Sequence, residues 1–435
     1  MDNITFLKQF TSGEAKLGII GLGYVGLPLA EAFADAGIKV LGFEIDAEKV
    51  EAVNRGESYV KDVSPESISE LVRTGVLEAT TEFDRLGECG AISICVPTPL
   101  SKSKSPDVSY IETAVTEIAS RLKPGQLIVL ESTTYPGTTE ELVLPALEES
   151  GLEVGRGFFL AFSPERVDPG NVQYSVRNTP KIIGGVTRTC TNLASTLYSK
   201  AIDHVHTVHG TMAAEMVKLL ENTYRAVNIG FINEFAMMCE RLGVDVWEII
   251  EAASTKPFGF QPFYPGPGLG GHCIPIDPLY LSWKMHNLDY KALFIDLADT
   301  INSSMPYFVV SRVMEQLNDA GLPLKGSRLL LLGMAYKEDI DDVRESPALD
   351  VASLLLKKGA LVDYHDPYVP ACRVDGAELQ SVELTDESLT RADLVLIITA
   401  HRTIDYQWVV DRAKRVFDAK NATGRLASSE NVWRL

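Results

Sequence analysis

Lys16-Leu17-Gly18-Ile19-Ile20-Gly21-Leu22-Gly23-Tyr24-Val25-Gly26 is an apolar run that breaks into three glycines spaced G-x-G-x-x-G. The run predicts a strand over 16–21. The glycines predict a tight turn, and residues 28–36 then read as a helix ended by Gly37. A second apolar run over 38–44 closes on an acid, Glu44, 18 residues beyond Gly26. Strand, glycine turn, helix and acid-ended strand together mark a dinucleotide-binding unit. The glycines let the backbone approach a pyrophosphate at the helix N-terminus, where unpaired N–H groups and the helix dipole favour an anion. Gly21, Gly23, Tyr24, Val25 and Gly26 are therefore candidate cofactor contacts. Glu44, with Asp46 as second candidate, is placed to accept from ribose hydroxyls. A carboxylate there repels a 2′-phosphate, which favours NAD over NADP. A glycine turn without a ligand is the bland alternative, and the surrounding pattern weighs against it.

Working outward, short apolar runs over 91–96, 126–131, 158–162 and 181–183 read as further strands. Strands alternating with helices imply a parallel sheet covered on both faces. Ligands of such sheets bind beyond the strands' C-terminal ends. Three loops fall there: Val96-Pro97-Thr98-Pro99, Glu131-Ser132-Thr133-Thr134-Tyr135-Pro136-Gly137 and Ser163-Pro164-Glu165-Arg166.

From Thr211 the pattern becomes one helical run ending near Gly243. About 32 residues would span about 48 Å at 1.5 Å each, a spine rather than an ordinary helix. Gly230 in its middle marks a close crossing. A Pro/Gly-rich loop over 257–278 follows, then helical sequence to about Ala320. After Gly326 the alternation resumes, with strands over 327–333, 360–365 and 392–399 and a helix over 347–358. The second half is another Rossmann-type unit, but its first turn, Gly333-Met334-Ala335-Tyr336-Lys337, lacks the three glycines. It is expected to bind a nucleotide differently. The fold class is thus α/β, with two Rossmann-like parallel-sheet domains joined by a central helical domain with a long spine helix. The expected domains are residues 1–205, 206–320 and 321–435.

A chain of 435 residues exceeds one ordinary core, which agrees with several domains. The net charge of −19 argues against nucleic acid or an anionic membrane as partner. It also requires local Lys and Arg wherever an anionic substrate binds. No apolar run approaches the roughly 20 residues that cross a bilayer, and residues 1–16 show no secretory pattern. The six cysteines, at 89, 95, 190, 239, 273 and 372, are scattered without a CxxC. Free thiols in a reducing cytoplasm are expected.

The chemistry concentrates in Gly266-Pro267-Gly268-Leu269-Gly270-Gly271-His272-Cys273-Ile274-Pro275-Ile276-Asp277. A loop this rich in glycine serves close backbone approach, an odd setting for a merely structural thiol. A nucleophilic cysteine beside a redox cofactor suggests oxidation beyond the aldehyde, with the aldehyde held covalently. His272 lacks a second Cys/His pair at zinc spacing, and His204, His206 and His209 fit strand alternation as well as a metal, so no metal is expected. Asp277 before Pro278 suits a helix N-terminus, and it could also orient water or a base. Lys218 and Asn222 stand four apart on the spine, hence on one face, and offer a cation and an amide to an oxyanion. An amphipathic solvated stripe is their alternative.

Seven segments in order, GLGYVG, VPTP, ESTTYPGTT, SPER, EMVKLLEN, PGPGLGGHCIPIDP and AYKEDIDDVRES, resemble the UDP-glucose/GDP-mannose dehydrogenase family over nearly the whole chain. The resemblance implies an NAD-binding domain, a helical domain used for homodimerisation and a C-terminal domain for the sugar nucleotide. It implies oxidation of a C6 hydroxymethyl to a carboxylate with two NAD+. Cys273 would be the nucleophile, Lys218 and Asn222 the oxyanion donors, and Asp277 an assistant. Glu165 and Thr133 would handle proton transfer and water. Thr98, Thr133 and Arg344 would face the cofactor, and Arg166, Tyr264, Gly270 and Lys337 the substrate, with Glu165, Lys218 and Asn222. Glu44 departs from the aspartate usual in glucose-oxidising members. The SPERVDPGN stretch and the His272–Cys273 pair are more similar to the N-acetylhexosamine branch. That likeness implies UDP-N-acetylglucosamine as substrate, with UDP-N-acetylmannosamine, UDP-glucose and GDP-mannose as alternatives. A two-electron NAD alcohol dehydrogenase is the rival enzyme class.

Overall fold

The computed structural model describes residues 2–101, 105–168, 170–171, 173–271, 273–426 and 429–435. His272, paired above with Cys273, lies outside them. The chain divides into two compact units, Met1–Glu221 with Trp283–Tyr290, and Asn222–Ser282 with Lys291–Leu435.

The first unit holds an eight-stranded sheet. Its strands are β1 (Lys16–Ile20), β2 (Val40–Phe43), β3 (Leu77–Thr80), β4 (Cys89–Ile94), β5 (Leu127–Leu130), β6 (Phe159–Phe162), β7 (Lys181–Gly185) and β8 (Val205–Thr207). Their order is β3-β2-β1-β4-β5-β6-β7-β8. The chain runs outward from β1 and then returns to β4 on its other side. The switch point beside β1 is therefore where a ligand crevice forms. Alternate residues of β5 serve opposite cores: Leu127 and Val129 pack on one face, Ile128 and Leu130 on the other. Strands buried on both faces read as continuous apolar runs, which is why 126–131 carried no alternation.

Two features depart from the sequence expectation. β3 appears although Leu77-Glu78-Ala79-Thr80 is short and half polar. More consequentially, β7 runs antiparallel to β6, pairing Ala161 with Gly185 and Phe162 with Gly184. A parallel return needs a long crossover, usually a helix. Among the described residues the 163–180 connection contains none, so the chain turns back.

The spine helix spans Gly210–Leu242, 33 residues. The division between the units falls inside it. Gly230 does mark a crossing: a Cβ there would lie 3.1 Å from Ala298 Cα of the Leu293–Asp319 helix.

The second unit carries a five-stranded parallel sheet of β9 (Arg328–Leu332), β10 (Leu361–His365), β13 (Leu394–Ile397), β14 (Val416–Asp418) and β15 (Val432–Arg434). The order is β10-β9-β13-β14-β15. β11 (Ala371–Val374) and β12 (Ala377–Gln380) form a hairpin beside it. No described helix is long and apolar enough to cross a membrane.

Candidate active site

The glycine turn after β1 is built on contact. Gly21 has φ 91°, and a Cβ on Gly26 would lie 1.8 Å from Gly21 O. Any side chain at 26 would push the helix off the strand. A Cβ on Gly23 would meet no protein atom within 4 Å, so the turn presents bare backbone at that point. That is the cradle a pyrophosphate needs. Tyr24 stands half-exposed beside it, Val25 packs on the core, and Thr98 is buried beyond β4.

Glu44 sits at the end of β2 as expected, but its carboxylate first ties the turn together. Oε2 accepts from Leu22 N at 3.1 Å, and Oε1 from Ile45 N at 2.9 Å and Asp46 N at 3.2 Å. A carboxylate has about four acceptor positions, so about one remains for a ribose hydroxyl. Asp46 caps the next helix, its Oδ1 accepting from Glu48 N at 3.0 Å.

Beyond β5 and β6 the same unit gathers Thr133, Glu165 and Lys218. The Lys218 ammonium donates to Thr133 Oγ1 at 2.6 Å. One turn earlier on the spine, Glu215 accepts from Gly137 N at 2.6 Å and Thr139 N at 3.0 Å. Glu215 thereby fastens the Thr133 loop to the helix face that carries Lys218; its place one turn before Lys218 was the available signal. Arg166 forks onto Glu221, with Nη2 2.5 Å from Oε1, and donates to Pro180 O at 2.6 Å. Glu165 Oε1 accepts from Arg166 N and Val167 N, each at 2.7 Å.

Two further buried groups join Glu165: Lys181 at the start of β7 and Glu131 at the end of β5. Nothing in the sequence singled them out as a pair, because the antiparallel turn of β7 was not foreseen.

In the second unit Asn222 Nδ2 donates to Asp277 Oδ2 at 2.6 Å, with Asp277 only 2% exposed. Asp277 opens the Asp277–His286 helix, and its N–H donates to Cys273 O at 2.8 Å. The partly exposed Cys273 thus lies one turn before the Asp277–His286 helix. Its loop is anchored at the start by a buried amide relay. Gly266 N donates to Asn233 Oδ1 at 3.0 Å, and Asn233 Nδ2 donates to Asn302 Oδ1 at 2.9 Å.

The middle of that loop rests on the loop after β9. Gly271 N donates to Arg344 O at 3.1 Å, and a Cβ on Gly270 would lie 2.6 Å from Tyr336 Cβ. Cys273, Gly270, Lys337 and Arg344 are therefore brought into two touching loops. Arg344 itself pairs with Asp342 at 2.6 Å. Tyr264 stacks on Trp247 with ring centroids 6.1 Å apart.

Asp366, at the end of β10, explains why this unit departs from the first. Its carboxylate accepts from the N–H groups of Met334, Ala335, Tyr368 and Val369 and lies 3.1 Å from His401 Nε2. Nδ1 of His401 accepts from Asp339 N at 3.0 Å, so Nε2 carries the proton toward Asp366. Burial would raise the Asp366 carboxyl, but His401 and the backbone donors outweigh it and hold it below the ordinary range. With those donors in place, Asp366 locks the loop bearing Lys337 and has no capacity left for a ribose.

Three family models match in succession: the NAD-binding domain of the UDP-glucose/GDP-mannose dehydrogenase family over residues 15–202, its central domain over 212–304 and its UDP-binding domain over 330–425. The chain belongs to that family. It is 35% identical over 414 residues to the UDP-N-acetyl-D-mannosamine dehydrogenase of Pyrococcus horikoshii, covering 93% of this chain and 95% of that one. It is 35% identical over 360 residues to the UDP-N-acetyl-D-glucosamine 6-dehydrogenase of Pseudomonas aeruginosa, covering 82% and 84%. The solved UDP-D-ManNAc dehydrogenase from Pyrococcus horikoshii superposes with a TM-score of 0.87 at 34% identity, covering 96% of this chain and 98% of that one. The protein is an NAD-dependent oxidoreductase of nucleotide sugars, acting at C6 of a UDP-sugar. The bare backbone at Gly23 fits the cofactor's pyrophosphate.

Proposed function

We propose that this dehydrogenase carries out the four-electron oxidation of the C6 hydroxymethyl of a UDP-N-acetylhexosamine to a carboxylate, with Cys273 as covalent nucleophile. UDP-N-acetylglucosamine is the first choice of sugar. The observation that carries this reading is the placing of Cys273 before a helix N-terminus, on a loop next to the Asn222–Asp277 pair.

When bound, NAD+ would accept one hydride in each oxidation, so two NAD+ are consumed per sugar and the first NADH must leave before the second hydride transfer. The Cys273 thiolate adds to the aldehyde carbon, forming a C–S bond and a thiohemiacetal that keeps the intermediate from escaping. Loss of a second hydride leaves a thioester, and water displaces the thiolate to give the carboxylate. Lys218 and Asn222 balance the charge on the oxygen in each tetrahedral stage. Asp277, held by Asn222, or Thr133, held by Lys218, orients the water. Glu165 assists proton transfer. Arg166, Tyr264, Gly270 and Lys337 contribute to substrate binding, and Arg344 to the cofactor.

The names of the two relatives described above differ in the C2 epimer, so the test includes both. With limiting sugar and excess NAD+, a panel of UDP- and GDP-sugars should give about two NADH per UDP-N-acetylhexosamine consumed, as a C6 alcohol-to-acid oxidation requires. One NADH per sugar, with free aldehyde, would identify the rival two-electron enzyme. Turnover confined to UDP-glucose or GDP-mannose would overturn the proposed substrate.

A homodimer is proposed on the spine helix. Leu220, Tyr224, Phe231, Met238 and Leu242 form an exposed stripe spaced by four and seven residues, with Leu220 67%, Phe231 59% and Leu242 76% exposed. Such a stripe suits the same helix of a second copy. Phe231→Glu should convert the sedimenting species to monomer; an unchanged sedimentation coefficient would place the contact elsewhere. The free cysteines accord with a proposed cytoplasmic location.

A further inference from the structure

The group that the mechanism leaves unexplained is a buried three-charge cluster under the C-terminal edge of the first sheet. Lys181 is 3% exposed and Glu131 1%. The lysine ammonium lies 2.6 Å from Glu131 Oε2 and 2.8 Å from Glu165 Oε2. Tyr198 donates a very short bond to Glu131 Oε1 and lies 2.9 Å from Ser93 Oγ. The antiparallel register makes this possible. Because Phe162 faces Gly184, each step forward from β6 meets a step back on β7, and residue 165 arrives opposite 181. A parallel β7 would have carried Lys181 to the far end of the sheet.

We infer that Lys181 is a positioning residue of the reaction: it holds Glu165 as an oriented anion, while Glu131 shares the lysine's charge. The inference rests on the proposed role of Glu165.

The geometry separates the two acids. Glu165 has two backbone N–H donors besides the lysine, whereas Glu131 lies deeper and is bonded by the lysine and a phenol. Burial would raise Glu165, but Lys181, the Val167 N–H and Lys218 outweigh it and hold the carboxyl below the usual range. Burial prevails at Glu131 and pushes it up. Burial would lower Lys181, and the two carboxylates overcome it, so the ammonium stays charged. The other groups facing the cluster are Lys218 from the spine, Cys95 beyond β4, whose thiol burial raises, and Tyr198, likewise raised by burial. Arg166 is turned toward Glu221.

The test is the acid limb of kcat/KM against pH, at saturating NAD+. Removing an opposite charge at this range shifts a carboxyl by about one unit or more. Lys181→Met should move the limb up by about that much, so activity below the limb falls about tenfold. Lys181→Arg should restore it. Glu131→Gln, which keeps the lysine and guards against a Lys181→Met that fails to fold, should move the limb down, because the lysine's charge is no longer shared. A limb that stays put in Lys181→Met, or that fails to fall in Glu131→Gln, overturns the inference. Glu165→Gln separates this from the parent reading. If Glu165→Gln lowers the rate while Lys181→Met leaves the limb unmoved, Glu165 keeps its role and the positioning role of Lys181 fails. If Glu165→Gln turns over normally, the role of Glu165 itself fails.

Discussion

Cys273→Ser should release carboxylate at least about 1,000-fold more slowly than the wild type while still binding NAD+ and the UDP-sugar. The substitution is small, since one sulfur becomes oxygen in a partly exposed side chain. Packing therefore changes little, and the effect is on chemistry. A thiol ionises far more readily than a serine hydroxyl, which stays protonated. Without a thiolate the aldehyde is not captured, and the second hydride has no covalent hemiacetal to leave from. The measurement is product carboxylate by chromatography, alongside ligand affinity by calorimetry. Near-normal carboxylate release would remove Cys273 from the reaction. Loss of affinity for both ligands would show a loop that no longer folds.

Lys218→Ala should lower kcat about 100- to 1,000-fold, the usual cost of losing one oxyanion donor. Its NAD+ affinity should remain within about twofold, because the change removes an interaction made in the transition state. Lys218 is buried and donates to Thr133 at 2.6 Å, so alanine also frees that hydroxyl. Lys218→Met separates the effects by keeping the stem and removing only the charge. An equal rate loss in Met and Ala assigns the role to the ammonium. Equal losses of rate and NAD+ affinity would instead mark a lysine that merely supports the fold.

Where a residue's part in the fold could be read ahead of the structure, a local rule fixed its place. Gly21 and Gly26 follow a strand and open a helix, and their spacing fits a tight strand-to-helix turn. Lys218 and Asn222 share a face because they stand four apart. The length of the spine and the crossing at Gly230 followed from unbroken helical sequence and one glycine. What escaped depended on non-local pairing. Lys181 is an ordinary strand-opening lysine until β7 turns back on β6. Glu131 ends its strand as many acids do, and only the lysine across the sheet distinguishes it. Asn233 and Asn302 lie 69 residues apart and meet only where two helices cross under the cysteine loop. Asp366 occupies the position that Glu44 holds in the first unit. Its chemistry differs because four backbone N–H groups, and His401 35 residues later, take up its acceptor positions, where Glu44 has only three backbone donors.

Covalent capture at Cys273 is the central claim, and acid-quenching the enzyme during turnover of UDP-N-acetylglucosamine or UDP-N-acetylmannosamine tests it most directly. The peptide containing Cys273 should then carry the mass of a sugar-nucleotide thioester, absent when NAD+ is withheld and absent in Cys273→Ser. An unmodified Cys273 peptide under full turnover, with carboxylate still accumulating, would contradict the account.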